Sequence, residues 1–113
     1  RVVAAARVPT PAGQLVRHAS ELVLPGRLPA IVKPNAEGSS KGITAESLVT
    51  SEAALQTRLV ETLARYPDGV LVEQFVNGID VSVGWVEGMG LLPPIGYAYP
   101  GAIYDLALLI IQA

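Results

Sequence analysis

Between positions 32 and 43 the sequence reads Val32-Lys33-Pro34-Asn35-Ala36-Glu37-Gly38-Ser39-Ser40-Lys41-Gly42-Ile43, a set of residue types suited to holding a polyphosphate. Gly38 and Gly42 permit a backbone that turns several N–H groups toward one point. Ser39 and Ser40 add hydroxyl donors, and Lys33 supplies a positive charge from the end of an apolar strand. Lys41 could approach a phosphate too, or stand as a solvated loop lysine. No Gly-Lys-[Ser/Thr] follows at the Walker spacing, so this is not a P-loop. The same composition also describes a flexible surface loop with a solvated lysine.

A second group lies downstream, in Val70-Leu71-Val72-Glu73-Gln74-Phe75-Val76-Asn77-Gly78-Ile79-Asp80. Glu73 stands on an otherwise apolar strand beside Val72 and Phe75, where a carboxylate needs a partner. An adenine N6 amine is one such partner, and a salt bridge across a hairpin is the other. Asp80 alternates with Ile79 and Val81 and so faces away from them, which equally describes a solvent-exposed carboxylate. His18, next to Arg17, reads as a surface residue. Phe75 and Trp85 share apolar strand faces and read as core.

The elements that must position these residues follow from pattern. Residues 1–7 read as the end of a helix stopped by Val8-Pro9-Thr10-Pro11, so the chain is expected to start inside an element. A short strand is predicted over 14–18, then a turn region around Pro25-Gly26 and Pro29. Ala30-Ile31-Val32-Lys33 is a compact apolar strand ended by Pro34, and the polar loop 35–42 follows. The chain can return as a strand over 43–49. Thr50 or Ser51 offers a helix N-cap, and Ala54, Leu55, Leu59, Val60, Leu63 and Ala64 recur at helical spacing up to Tyr66. Pro67-Asp68-Gly69 ends that helix. Residues 70–76 form a β-branched strand, Asn77-Gly78 is a two-residue hairpin signal, and 79–86 alternates as the returning strand. A further strand is predicted over 91–99, weakened by Pro93-Pro94, and the tail from Gly101 is ambiguous. The fold class is α+β, an antiparallel sheet covered by a helix.

Bulk properties exclude several functions. The chain has 113 residues, enough for one domain, and half of them are hydrophobic against 16% charged. That is apolar for a free-standing domain and suggests faces meant for covering. The net charge is −2 and the eight Lys and Arg residues are dispersed, which argues against a nucleic-acid partner. There is no cysteine and one histidine, so a disulfide framework and a thiolate or zinc site are excluded, in keeping with a reducing cytoplasm. The apolar stretches at 2–6 and 106–111 are too short to act as a signal core or to span a membrane.

Taken in order, Val8-Pro9-Thr10-Pro11, Lys33-Pro34, Glu37-Gly38-Ser39-Ser40, Gly42-Ile43 and the segment from Val70 through Asp80 resemble the D-alanine–D-alanine ligase family of the ATP-grasp superfamily, over nearly the whole chain. The resemblance implies an ATP-grasp subdomain with incomplete flanking elements, in which 1–29 are linker and entry elements, 30–100 the nucleotide-binding subdomain, and 101–113 the start of a truncated substrate-side region. It implies that Lys33 contacts the ATP phosphates, and that Glu37, Gly38, Ser39, Ser40 and Gly42 belong to the loop closing over them. Ser39 would point toward the reacting phosphate and substrate as the catalytic residue. Glu73 would receive the adenine amine, the Gln74 carbonyl and the Val76 N–H on either side of Phe75 would read the adenine edge, and Asp80 would accept the ribose hydroxyls. The family usually has Glu at that last position, and the stem here is one methylene shorter.

The activity so implied is ATP-dependent joining of D-alanines through an acyl phosphate, for peptidoglycan in the cytoplasm. The partners implied are D-alanine, the flanking domains of the same protein, and a second copy in a homodimer. Tyr104-Asp105 resembles the start of the family's substrate-side loop, but the apolar residues after it lack the family's second phosphate-binding lysine. The family's Mg2+ ligands belong to a C-terminal segment that this chain does not contain, so no metal ligand is assigned and the chain alone is expected to be catalytically silent. A stand-alone non-catalytic nucleotide-binding module, or an ATP-grasp ligase of another substrate, are the competing readings. Flanking coding sequence without an upstream domain and a downstream metal cluster would remove the full-ligase reading.

Overall fold

Pro9 and Pro11 follow a short first helix, and beyond them the chain is built mainly of strands. The computed structural model describes residues 2–23 and 28–98. In chain order these form α1 (Val2–Ala5), β1 (Gly13–Val16), β2 (Ala30–Pro34), β3 (Leu48–Val49), α2 (Glu52–Arg65), β4 (Val70–Gln74), β5 (Val81–Ser82), β6 (Trp85–Val86), β7 (Gly90–Leu91) and β8 (Ile95–Gly96). Single 3₁₀ turns at Ala19–Glu21 and Ala45–Ser47 precede β2 and β3. The predicted turn at Pro25-Gly26 and the tail from Gly101 lie outside the described residues.

β1, β4, β2 and β3 make one antiparallel sheet in that order, with β4 paired to β1 on one side and to β2 on the other. Ser51 caps α2, its hydroxyl accepting the Ala54 N–H at 3.2 Å, and Glu52 and Arg65 lie at the dipole ends that suit their charges. The helix lays Leu55, Leu59 and Thr62, one face at i, i+4 and i+7, over one side of the sheet. Val16, Ala30, Val32, Val49, Val70 and Val72 meet them there and complete the buried core. Ala54, Val60 and Ala64, which share the helical spacing, stay exposed. Burying Leu55 and Leu59 fully contributes roughly 1.5–3 kcal/mol each.

The alternation along β2 and β4 leaves Ile31, Lys33, Leu71 and Glu73 on the other side of the sheet, half-buried and away from the helix. Leu15 joins them, opposite Leu71. The sheet thus has one closed face and one open face.

The α+β class and the helix-covered antiparallel sheet are as expected, but four elements differ from the sequence pattern. The first strand ends at Val16 because the Glu21 carboxylate takes the Arg17 and His18 N–H groups, at 2.9 and 3.3 Å. Those two bonds hold the Glu21 carboxyl below its ordinary pKa. Only Leu48–Val49 of the strand expected over 43–49 forms, because Ser47 Oγ takes the Thr44 N–H and the Ser47 N–H turns back to Thr44. β4 stops at Gln74: the Phe75 N–H still reaches the carbonyl of Pro29, its in-register neighbour, but Pro29 has no N–H to return.

The fourth difference is the largest. No hairpin turns at Asn77-Gly78, because both edges of β4 are already occupied by β1 and β2. The following chain forms two separate two-stranded pairs, β5 with β8 and β6 with β7. The strand expected over 91–99 is divided accordingly by Pro93 and Pro94, which have no N–H to offer a ladder. Trp85, expected in the core, is 66% exposed on the short β6, whereas Phe75 is half-buried.

Candidate functional site

Lys33 and Glu73 meet on the open face. Lys33 is paired across the ladder with Leu71, and Glu73, two residues on, is its diagonal neighbour. The Lys33 ammonium lies 2.6 Å from a Glu73 carboxylate oxygen, with both side chains largely withdrawn from solvent. Of the two partners considered for Glu73, the one present here is therefore a salt bridge, made between neighbouring strands of the sheet and not across a hairpin. A third strand shapes the same spot. Gly13 is opposite Glu73 on β1, and a Cβ there would lie 2.6 Å from Glu73 Cγ.

The other predicted residues lie at the two ends of these strands. At the Pro34 end, the loop 35–42 leaves the sheet, with Glu37, Gly38, Ser39 and Lys41 exposed and Ser40 half-buried. Ser39 and Ser40 carry the left-handed turn, at φ 54° and 57°, and Gly42 follows at φ 76°. The expectation that glycines shape the loop holds at Gly42; the other left-handed positions fall on serines, each at a cost of about 1 kcal/mol. The loop's entrance is tied down by the Asn35 N–H to the Gly69 carbonyl at 3.0 Å.

At the Gln74 end, the chain bends away through residues 75–80. The Gln74 N–H bonds the Ala12 carbonyl at 2.8 Å. Pro9, Thr10, Pro11 and Ala12 face Gln74, Phe75, Val76 and Asn77 across an open groove of about 650 Å³. Asp80 lies beyond, exposed, and its carbonyl accepts the Tyr97 N–H at 2.9 Å. His18 is exposed, as expected.

The open face is thus a track running from loop to bend, with a cation and an anion midway. Four residue steps along β4 correspond to about 14 Å. That arrangement could hold an extended anionic ligand whose charged end meets Lys33 and the loop, and whose hydrogen-bond donor meets Glu73. Among the described residues, no group of three or more His, Cys, Asp or Glu converges as a metal site. The Mg2+ that the family resemblance implies meets no such donor set among the described residues.

Comparison with known proteins decides the family. A family profile described as D-ala D-ala ligase C-terminus matches residues 12–108. The chain belongs to the D-alanine–D-alanine ligase family. Among its relatives, the D-alanine–D-alanine ligase of Citrifermentans bemidjiense is 38% identical over 78 residues, which is 69% of this chain and 24% of that ligase. The ligase of Syntrophotalea carbinolica is 44% identical over 77 residues, 68% of this chain and 24% of its own length. That of Bordetella pertussis is 38% identical over 105 residues, covering 87% of this chain and 32% of the ligase. The matched region is thus about a quarter to a third of the length of these relatives.

Three residues near the site carry little or no signal in the sequence. Gly13 becomes visible only through the register that sets it against Glu73. Arg58 and Tyr66, both on the helix side, reach the loop's exit. Arg58 has a faint signal, since it falls between Leu55 and Leu59 on the rim of the helix's buried stripe. There the Thr44 hydroxyl also bonds Glu46 at 2.6 Å, which holds that carboxyl below its ordinary pKa.

Proposed function

We propose that this chain is the ATP-binding portion of an ATP-dependent carboxylate–amine ligase of the ATP-grasp superfamily, joining D-alanines through an acyl phosphate. The observation that carries the reading is the open face. Lys33 and Glu73 stand side by side on it, with the serine- and glycine-containing loop at one end and the bend 74–80 at the other. ATP laid along this track would direct its phosphates to Lys33 and the loop, and its adenine amine to Glu73. The Gln74 carbonyl and the Val76 N–H, flanking Phe75, would read the adenine edge and Asp80 the ribose. Glu37, Gly38, Ser39, Ser40 and Gly42 would then enclose the triphosphate, with Ser39 nearest the reacting phosphate.

The substrate assignment rests on the relatives, which are named D-alanine–D-alanine ligases. With it come peptidoglycan precursor synthesis, a cytoplasmic location, Mg2+ in the complete enzyme and a homodimer as the assembly. Residues 30–100 would form the nucleotide-binding subdomain, 1–29 the entry to it and 101–113 the approach to the substrate side. Stabilising a transferring phosphoryl group takes several cations and in-line placement. This stretch supplies Lys33 and the loop toward that, so the chain by itself is expected to bind ATP without turning it over.

The test is calorimetric titration of the chain with ATP. Binding is expected, with Lys33→Ala and Glu73→Leu each weakening it about tenfold or more, the scale of a lost charge-assisted bond. No ATP binding, or unchanged affinity in both variants, would overturn the nucleotide site. Phosphate release from the chain with ATP, D-alanine and magnesium would overturn its predicted silence.

A further inference from the structure

The loop 35–42 is held from behind by a residue that does not face the open track. Arg58, on α2, points one guanidinium nitrogen at three acceptors where the loop rejoins the fold. These are Ser47 Oγ at 3.1 Å, Thr44 Oγ1 at 3.2 Å and the Gly42 carbonyl at 3.5 Å. That nitrogen carries two hydrogens, so the contact to Gly42 is the weakest of the three. Its remaining ionic contact, to the exposed Glu61, is 3.8 Å long, and Arg58 Nε is buried with no hydrogen-bond partner among the described residues. The guanidinium is therefore committed mainly to the loop's exit.

The exit is fixed by shape as well. Gly42 adopts φ 76°, and a Cβ on it would lie 2.5 Å from Pro34 Cγ and 2.9 Å from the Tyr66 hydroxyl. The entrance is pinned by Asn35 to Gly69. Between these two points the backbone bonds are local, Lys41 N–H to Gly38 and Ile43 N–H to Ser40.

We propose that Arg58 is a positioning residue for the phosphate loop, anchoring its exit so that residues 37–41 close over the phosphates between two fixed ends. This rests on the nucleotide reading above. The positive charge of the guanidinium strengthens each of its bonds at the loop's exit, since an ionised donor bonds a neutral acceptor more strongly than an uncharged one does.

The test uses the full chain, as wild type, Arg58→Met, Arg58→Lys and Thr44→Val, with ATP and adenosine as probes. Adenosine has no phosphate for the loop to meet. Arg58→Met is expected to weaken ATP about five- to tenfold and adenosine less than about twofold, as loss of one or two hydrogen bonds would. Arg58→Lys should fall between, and Thr44→Val, which removes one acceptor on the exposed side, should weaken ATP about two- to threefold. Amide exchange of residues 42–47 should accelerate in all three variants while that of β4 does not. Equal losses for ATP and adenosine would reduce Arg58 to a general stabiliser, and unchanged exchange at 42–47 would overturn the anchor outright. If the wild type fails to bind ATP while exchange still accelerates, the nucleotide reading falls and the anchor stands. Should Arg58→Met not fold, Arg58→Lys and Thr44→Val decide by the same criteria.

Discussion

Lys33 and Glu73 are each unfavourable alone in a half-buried, largely apolar surface, and each relieves the other. Their pair retains some exposure, so its net worth is on the order of 1 kcal/mol. In urea unfolding, Lys33→Met and Glu73→Leu should each destabilise by about 1 kcal/mol, and the double variant by clearly less than their sum. Strict additivity would show that the pair does not form in solution. Gly13 extends this argument. A side chain there meets Glu73 Cγ at 2.6 Å and the Val72 carbonyl oxygen at 3.1 Å, so both the Glu73 side chain and the β1–β4 backbone must shift to admit it. Gly13→Ala should therefore lower stability in urea unfolding and weaken ATP several-fold, by moving the carboxylate off its place beside Lys33. Unchanged ATP affinity in that variant would mean that the position of Glu73 is immaterial. The sequence makes Glu73 conspicuous as a charge on an apolar strand. It does not disclose Lys33 or Gly13 as its neighbours, because both depend on the register of three strands distant in the chain.

At the scale of elements, legibility follows how local the causes are. α2 is readable because its cap, its dipole residues and most of its buried stripe lie within fifteen consecutive positions. The hairpin expected at Asn77-Gly78 does not form because a turn dipeptide reports what the backbone can do, and pairing is decided by which strand edges are free. The difference can be measured. Gly78 has no positive φ, and a methyl added to it would have nothing within 4 Å, so Gly78→Ala should change stability by less than about 0.5 kcal/mol. A true two-residue hairpin turn at that position would make the same change distinctly destabilising, since its glycine would need left-handed dihedrals. Leu59→Ala provides the contrast, with an expected loss of about 2–5 kcal/mol from a fully buried site between helix and sheet. Comparable effects of the two substitutions would contradict the pairing described.

For the whole molecule, burial is divided unevenly. The core lies between α2 and the four-stranded sheet. From Val76 to Tyr97, by contrast, Gly90 is the one residue that is not exposed, and Ile79, Trp85, Met89, Leu91 and Ile95 all show more than 60% of their surface. The high apolar content of the sequence thus lies partly outside the core, on pairs of strands two residues long that bury nothing. Such pairs have little to hold them beyond their own ladder bonds. Trp85, as the sole tryptophan, reports on this region. Its emission should be that of a water-exposed indole already in the native state and readily quenched by acrylamide. Added urea should then move it little, while the far-ultraviolet dichroism of α2 shows a cooperative transition. The two probes watch parts of different stability, so their curves should not coincide. A blue-shifted, quencher-protected Trp85 that unfolds together with the helix would mean that this apolar surface is covered in solution, and the division of burial would have to be redrawn.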